Sequence, residues 1–405
     1  MTRPVAPGDI AAPVLSERLT AAFGAMLVAL GPVSMALYTP AMPTLVAAFG
    51  TTMGAVKATL TLYFAGFALA QLVCGPLSDA YGRRPVLIGF LALYVAASVG
   101  ATLAPTVEVL MAMRLVQGVG AATGVAISRA IVRDGFTGPR SARIMNTIGI
   151  WLALGPALSP SIGGLLLAVA DWHAVFVAMI VYGAVLLALI AWKLPETNAA
   201  PDPARIRPAG LVRAYGTLLR DRRFMVPSTV IGLTVGGLYA LGTMLPFVLI
   251  DRVGLSPTAF GAGMLFQSGS FILGGIATKL LMRRVDAGRL VTPGVLLCAL
   301  GGVLLSASLF LAAPSFLGVM GPVAVFAFAL AMIMPSLTTM ALAPFPTIAG
   351  AAAALMGFLQ MGGGFAGSGV AALTGDAVVA LATVVPTMTV AALVVHLAAG
   401  RSRVD

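Results

Sequence analysis

Charged residues are scarce in this chain. Asp, Glu, Lys and Arg make up 9% of its 405 residues, where a soluble domain carries about a quarter. With 60% hydrophobic residues, the apolar side chains exceed what one core in water could hide, which excludes a soluble globular protein. Histidine and cysteine are scarcer still, at 2 each. His173 and His396 fall near the ends of apolar runs, and Cys74 and Cys298 fall inside such runs. Their spacing matches no metal site, and the cysteines read as small buried hydrophobes. No Ser/His/Asp set or phosphate loop stands out either, so an enzyme, a cofactor and a metal ion are not expected. Period-two alternation is missing, which excludes a membrane β-barrel. Acids are scarcer than bases, 13 against 24, for a net charge of +11.

What fills the chain instead is a series of long apolar runs. A helix needs roughly 20 apolar residues to cross a bilayer, and runs of that length recur. Spans are expected near 19–41, 56–76, 86–104, 107–132, 143–169, 172–192, 225–249, 257–282, 288–311, 316–341, 347–374 and 376–399. The fold class is thus an all-α, polytopic membrane protein. Arg3 and Arg18 precede the first run, but no small-residue cleavage site follows them, so span 1 reads as retained and not as a signal peptide.

The basic residues are distributed by side. Arg83 and Arg84 lie between spans 2 and 3, Arg129, Arg133, Arg140 and Arg143 around the 4–5 turn, and Lys279, Arg283, Arg284 and Arg289 around the 8–9 turn. Lys193, Arg205, Arg207, Arg213, Arg220, Arg222 and Arg223 fill the stretch between spans 6 and 7, while the opposite face carries only Lys57 and Arg252. By the positive-inside rule the basic face is cytoplasmic, and with an even number of spans both termini are too. The net charge is then topological and lipid-directed, not a nucleic-acid footprint. Residues 193–224, with Pro195, Pro201, Pro203 and Pro208, read as a cytoplasmic linker between an N-terminal six-helix bundle (19–192) and a C-terminal one (225–399), flanked by tails 1–18 and 400–405. The halves echo each other: Pro40, Pro43 and Gly50 close span 1, and Pro246 and Gly254 close span 7. Such repeats are common in secondary transporters, with the substrate site between the halves.

The most specific stretch is GPLSDAYGRRPV, residues 75–86. Gly75 and Gly82 permit close helix approach and a tight turn. Asp79 stands close to Arg83 and Arg84, so it can form an ion-pair lock or lean on the positive start of a neighbouring helix; an ordinary positive-inside loop is the plainer reading. The pattern G-x-L-x-D-x-x-G-R-[KR] resembles the signature loop of the major facilitator superfamily. RLVQGVGAA, from Arg114 to Ala122, resembles that family's span 4 element. GPALSPSIGG, residues 155–164, resembles its antiporter element in span 5, with Ser159 where a glycine is usual. LYTPAMP, residues 37–43, is similar to the end of span 1 in the Bcr/CflA (bicyclomycin/chloramphenicol) drug-efflux branch. The resemblance covers the first half strongly and the second half mainly by span count.

It implies twelve helices in two pseudo-symmetric bundles that work by alternating access. It also implies multidrug efflux of small hydrophobic compounds from a bacterial cytoplasmic (inner) membrane, as a drug/proton antiporter. The bilayer and a small hydrophobic substrate are the partners, the proton is the implied coupling ion, and a monomer is expected. A metabolite exporter or facilitator without proton coupling is the alternative. Asp79 would gate the cytoplasmic contact, meeting the start of span 11 near Thr347 to Gly350. Gly155, Pro156, Pro160, Gly163 and Gly164 would make span 5 a bent helix sealed against another span, although Gly and Pro are frequent in membrane helices for packing alone. Pro40 and Pro43 would bend the outer end of span 1. Tyr38 beside them is a cavity-lining aromatic or a member of the interfacial belt.

One element of the resemblance is absent. The relatives carry an acid two residues before the tyrosine, where this chain has Ala36, and no Asp or Glu occurs between Glu17 and Asp79. Arg114, however, falls about eight residues, or roughly 12 Å, into span 4. A charge at that depth is expensive and usually functional, and arginine stays protonated, so it does not itself carry the proton. Its expected partners are Tyr38, backbone carbonyls, water or substrate. Asn146, Trp151, Tyr239, Gln267 and Gln360 complete the candidate cavity, with Phe271, Met244 and Met334 as apolar lining.

Overall fold

In lipid, backbone N–H and C=O groups must be paired within the segment that spans it, so apolar runs of this length become helices. The computed structural model describes residues 15–206 and 208–401. Residues 1–14 of the expected N-terminal tail, Arg207 of the linker and residues 402–405 of the C-terminal tail lie outside the described residues.

Twelve helices are long and apolar enough to cross a membrane. They are span 1 (Glu17–Ala48), span 2 (Met53–Tyr81), span 3 (Arg83–Thr102), span 4 (Val107–Gly135), span 5 (Gly138–Val169) and span 6 (His173–Lys193). The second half has span 7 (Arg222–Arg252), span 8 (Pro257–Leu281), span 9 (Ala287–Leu311), span 10 (Phe316–Leu342), span 11 (Pro346–Leu373) and span 12 (Ala377–Ala399). Several run past their hydropathy-based ends: span 1 continues beyond 41, and span 2 continues beyond 76. Hydropathy marks the part of a rod that lipid surrounds, whereas the helix stops where capping stops it. Spans 2, 8 and 10, which enter from the face opposite the arginines, start on side-chain caps. Thr52, Ser256 and Ser315 accept from Ala55, Ala259 and Gly318 N–H at 3.2, 3.1 and 3.2 Å. Asp376 caps span 12, and the Val379 and Val378 amides, with Arg252 at 2.8 Å, hold its carboxyl below the usual carboxylate range.

The halves pair their helices alike. Span 1 packs on 5, span 2 on 4, and span 3 on 4 and 6; span 7 packs on 11, span 8 on 10, and span 9 on 10 and 12. Adding six to each label converts the first pattern into the second. The contacts between halves obey the same symmetry, since span 2 lies along span 11 and span 8 along span 5. Gly50 and Gly254, at matching places after spans 1 and 7, both have positive φ, 56° and 84°, which only glycine adopts cheaply. The stretch between the halves is not all loop: it holds a helix, Pro208–Arg220.

Two expectations about local structure change. The turn expected over 75–86 is a single residue. Span 2 is helical through Tyr81, span 3 starts at Arg83, and Gly82 alone reverses the chain with φ 98°. Gly75 sits inside span 2 with open space beside it, so close approach is not what it serves. The distortion of span 1 is as expected in place but mild: residues Thr39–Ala41 tighten into a 3₁₀ turn and the helix then resumes.

Glycine sets the tightest packing inside the first half. A Cβ on Gly118 would overlap the Tyr63 carbonyl, and one on Gly66 would overlap the Leu115 carbonyl, so spans 2 and 4 meet backbone to backbone. Gly118→Val is expected to cost about 1–3 kcal/mol by overpacking, read as a lowered thermal unfolding temperature of the purified protein. Gly149→Ala, at a position with open space, should leave that temperature unchanged.

Candidate functional site

Three clusters of polar residues are positioned by this packing. The first is on the basic face. Arg83 is 6% exposed. Its guanidinium donates to Asp79 of span 2, to Ser78 Oγ at 2.8 Å and to Asp134 Oδ2 of span 4 at 2.9 Å. One arginine thus ties three helix ends. Glu196, from the segment after span 6, caps span 3: its carboxylate accepts from Arg83 N at 2.8 Å and Arg84 N at 3.1 Å, where the helix dipole favours an anion. Arg84 Nη2 donates to Ala191 O of span 6 at 2.6 Å. Asp79 therefore takes the ion-pair option, and Glu196 sits at the positive helix start. The Asp79 carbonyl is covered by Asn198 Nδ2 at 3.0 Å and Asp202 N at 3.2 Å. The hydrogen bonds shown for Asp79 thus go to Arg83 of span 3 and to the segment after span 6. Asp134 and Glu196 were ordinary loop or helix-end acids in the sequence; nothing in their spacing marked them as partners of Arg83.

The second cluster is the seam between halves, and it is tight at the face away from the arginines. Ser161 Oγ of span 5 donates to Gly261 O of span 8 at 2.8 Å, and a Cβ on Gly261 would lie 2.6 Å from Pro160 O. Gly164 faces the Pro257 carbonyl of span 8, while Gly155 and Gly163 face Val33 and Leu37 of span 1. The span 5 element is therefore two-sided, with one set of small residues for span 1 and another for span 8. Pro156 and Pro160 lie within an unbroken helix, Gly138–Val169. Spans 2 and 11 close the other side of the seam. A Cβ on Gly54 would lie 2.7 Å from Ala372 O, and Lys57, fully buried, donates from Nζ to Ala371 O at 3.1 Å. That carbonyl belongs to the last turn of span 11, where the helix dipole favours a cation. At mid-depth Phe64 stacks on Tyr239 across the seam, centroids 5.3 Å apart. Gln71 of span 2 lies against Gly357 of span 11. Lys57 was noted in the sequence only as one of two bases on the far face; its burial is a tertiary fact.

The third cluster surrounds Arg114, which is completely buried in the first half. Its guanidinium lies between the rings of Tyr38 and Tyr63, 4.4 Å from each centroid. A desolvated cation–π contact stabilises by about 2 kcal/mol or more. Gln117 Oε1 accepts from Nη1, and Gln117 Nε2 donates to Ser98 Oγ at 2.7 Å. Nε and Nη2 have no hydrogen-bond partner, and no carboxylate pairs with Arg114 among the described residues. Tyr38 donates to Thr59 Oγ1 at 2.7 Å, since the Thr59 hydroxyl is itself spent on Val56 O. Tyr38 is therefore an interior residue, packed on Phe176 and Arg114 and not in an interfacial belt. Tyr38 was one of four expected partners of Arg114, and Tyr63 and Gln117 were not among them; a tyrosine one residue from Phe64 in an apolar run carries no distinguishing signal.

The remaining candidates are dispersed. Tyr239, Gln267 and Gln360 are half-buried, on spans 7, 8 and 11. Gln267 Oε1 is buried without a partner. Phe64 links Tyr239 to the Arg114 cluster through its neighbour Tyr63. Asn146 and Trp151 are exposed on the basic-side half of span 5 and are not brought to Arg114.

The model of the Major Facilitator Superfamily matches residues 22–368. An uncharacterized MFS-type transporter of Bacillus subtilis, YdgK, is 36% identical over 300 residues, covering 70% of this chain and 74% of the relative. Multidrug resistance protein D of Escherichia coli is 28% identical over 344 residues, covering 83% and 84%. In three dimensions, a D-xylose-proton symporter superposes with a TM-score of 0.73 at 16% identity, covering 94% of this chain and 97% of the other.

The buried Lys57–Ala371 bond generates a prediction. Lys57→Met removes a charge-assisted bond contributing about 1.5–3 kcal/mol. Hydrogen–deuterium exchange at the ends of spans 2 and 11 should accelerate about tenfold, while exchange around Arg83 stays as it was.

Proposed function

The chain belongs to the Major Facilitator Superfamily, and on that premise we propose that it exports small hydrophobic compounds by alternating access, as a drug/proton antiporter of the Bcr/CflA kind. It is a transporter embedded in a bilayer. The arginine distribution supports a bacterial cytoplasmic membrane with the basic face inside. The observation that carries the export reading is the seam of span 5 on span 8. The Gly/Pro element that resembles the antiporter motif is the surface that closes the far face, through Ser161–Gly261 and Gly164–Pro257. The similarity to Multidrug resistance protein D over most of both chains points the same way.

In this reading the structure is closed at the far face. Substrate enters from the basic side between spans 5 and 8, where Asn146 and Trp151 are exposed, and meets Gln267, Gln360 and the Phe64–Tyr239 stack. Rocking of the halves parts the span 2–11 and 5–8 contacts. Asp79, freed from the segment that now covers it, then closes the basic side against span 11. Arg114 biases the cavity: a permanent cation nearby with no acid to neutralise it disfavours cationic substrates and favours neutral, acceptor-rich ones.

One observation favours a second reading, export of a specific metabolite without proton coupling. Ala36 is buried where relatives carry an acid, and Arg114 meets tyrosine faces in place of a carboxylate. Substrate-driven proton flux in proteoliposomes separates the two: antiport acidifies or alkalinises the lumen in step with transport, and uncoupled export leaves it unchanged.

Resistance profiling in a pump-deficient bacterial host, with and without an uncoupler, tests the export reading. Protection against neutral amphenicol-like compounds is expected, lost about tenfold or more in Arg114→Ala and in Asp79→Asn at equal expression. Ethidium-like cations as the best substrates would overturn the assignment to Arg114, and unchanged transport by Asp79→Asn would remove the gate.

A further inference from the structure

The helix between the halves, Pro208–Arg220, presents three distinct faces. One packs inward: Leu218 is fully buried beside Phe224 of span 7, and the Tyr215 hydroxyl donates to Leu72 O of span 2 at 2.7 Å. A second is apolar and bare. Val212 and Leu219, about two turns apart and therefore on one side, are 69% and 51% exposed. The third is cationic. Arg213 and Arg220, again about two turns apart, border an open groove of about 810 Å³ completed by Gly216, Thr217 and Arg222. The one acid in that groove, Asp221, is committed to Arg223, with Nη2–Oδ2 at 2.8 Å and the Arg223 amide at 2.8 Å. Arg213, Arg220 and Arg222 have no carboxylate partner among the described residues.

A helix with a bare aliphatic stripe beside unpaired guanidiniums, leading directly into the start of span 7, has the chemistry of a helix lying in a bilayer interface. The aliphatic stripe would meet acyl chains, and the arginines would meet headgroups just outside them. We infer that the groove along the linker helix is a binding site for the phosphate of an anionic phospholipid, with Arg213, Arg220 and Arg222 as its ligands and Val212 and Leu219 as its acyl contact. The groove runs along the linker helix and ends on Arg222, the first residue of span 7. A bound headgroup therefore pins the linker to the second half, while Tyr215 holds it to span 2 of the first. The inference goes beyond the transport reading and does not depend on which substrate is moved.

The test uses the full chain purified in a mild detergent, with retained lipid counted by native mass spectrometry and thermal unfolding followed on titration. Dioleoyl phosphatidylglycerol should bind and raise the unfolding temperature, and dioleoyl phosphatidylcholine should do so about tenfold more weakly. The triple variant R213Q/R220Q/R222Q should lose that preference, whereas Arg140→Gln, an exposed arginine paired with Glu17, should keep it. If the triple variant does not fold, R213K/R220K/R222K replaces it and should retain the preference for the anionic lipid. Val212→Ser with Leu219→Ser should weaken phosphatidylglycerol without altering glycerol 3-phosphate. Equal affinity of the native protein for both lipids, or protection by glycerol 3-phosphate or inorganic phosphate as strong as by the lipid, would overturn the inference.

Discussion

Helices already in lipid gain nothing from the hydrophobic effect by meeting, so this structure depends on close backbone approach. Where Gly66 and Gly118 let spans 2 and 4 touch, dispersion and weak polar contacts replace the driving force that water would supply. The same device appears at the seam. Gly164 and Gly261 bring span 5 onto span 8, and Gly54 brings span 2 onto span 11. Contacts of this kind are short-ranged and shape-dependent. They hold firmly when closed and vanish within a small separation, which is what a transporter needs from surfaces that must part.

Polar contacts are placed according to the cost of breaking them. The Arg83 clamp ties spans 2, 3 and 4 within one half, where nothing needs to separate. Across the seam the polar bonds described are few: Lys57 to Ala371 O, Ser161 to Gly261 O and Thr258 to Gly164 O. Arg114 stands apart from both. It is a charge enclosed within the first half, balanced by two aromatic faces and one amide, with the Nε and Nη2 nitrogens left unpartnered. A buried group so incompletely satisfied is costly.

Much of this was legible beforehand. Twelve apolar runs and the basic turns predicted the rods and their number, and left Tyr38 as one of four possible partners of Arg114. The partners in the Arg83 clamp were not legible, because Asp134 and Glu196 lie far from Arg83 in sequence and resemble any helix-end acid. Lys57 was one of two bases on the far face, and the carbonyl of span 11 that it reaches lies far from it in sequence. The hydrogen bonds that Asn198 and Asp202 make to the Asp79 carbonyl were not legible for a related reason: a motif names a residue but not the segments that fold back on it.

The sequence by itself determined that this is a membrane protein of twelve helices, because hydropathy and glycine are local properties and lipid permits few solutions to the backbone's hydrogen-bonding demand. It also determined that span 1 carries no acid beyond Glu17 at its start. Only the tertiary structure decided which carbonyls Lys57 and Ser161 reach, which rings enclose Arg114, and which of the two sides of span 5 meets the other half. Those depend on the rotation of each rod about its own axis and on its neighbours, and a one-dimensional pattern carries no record of either.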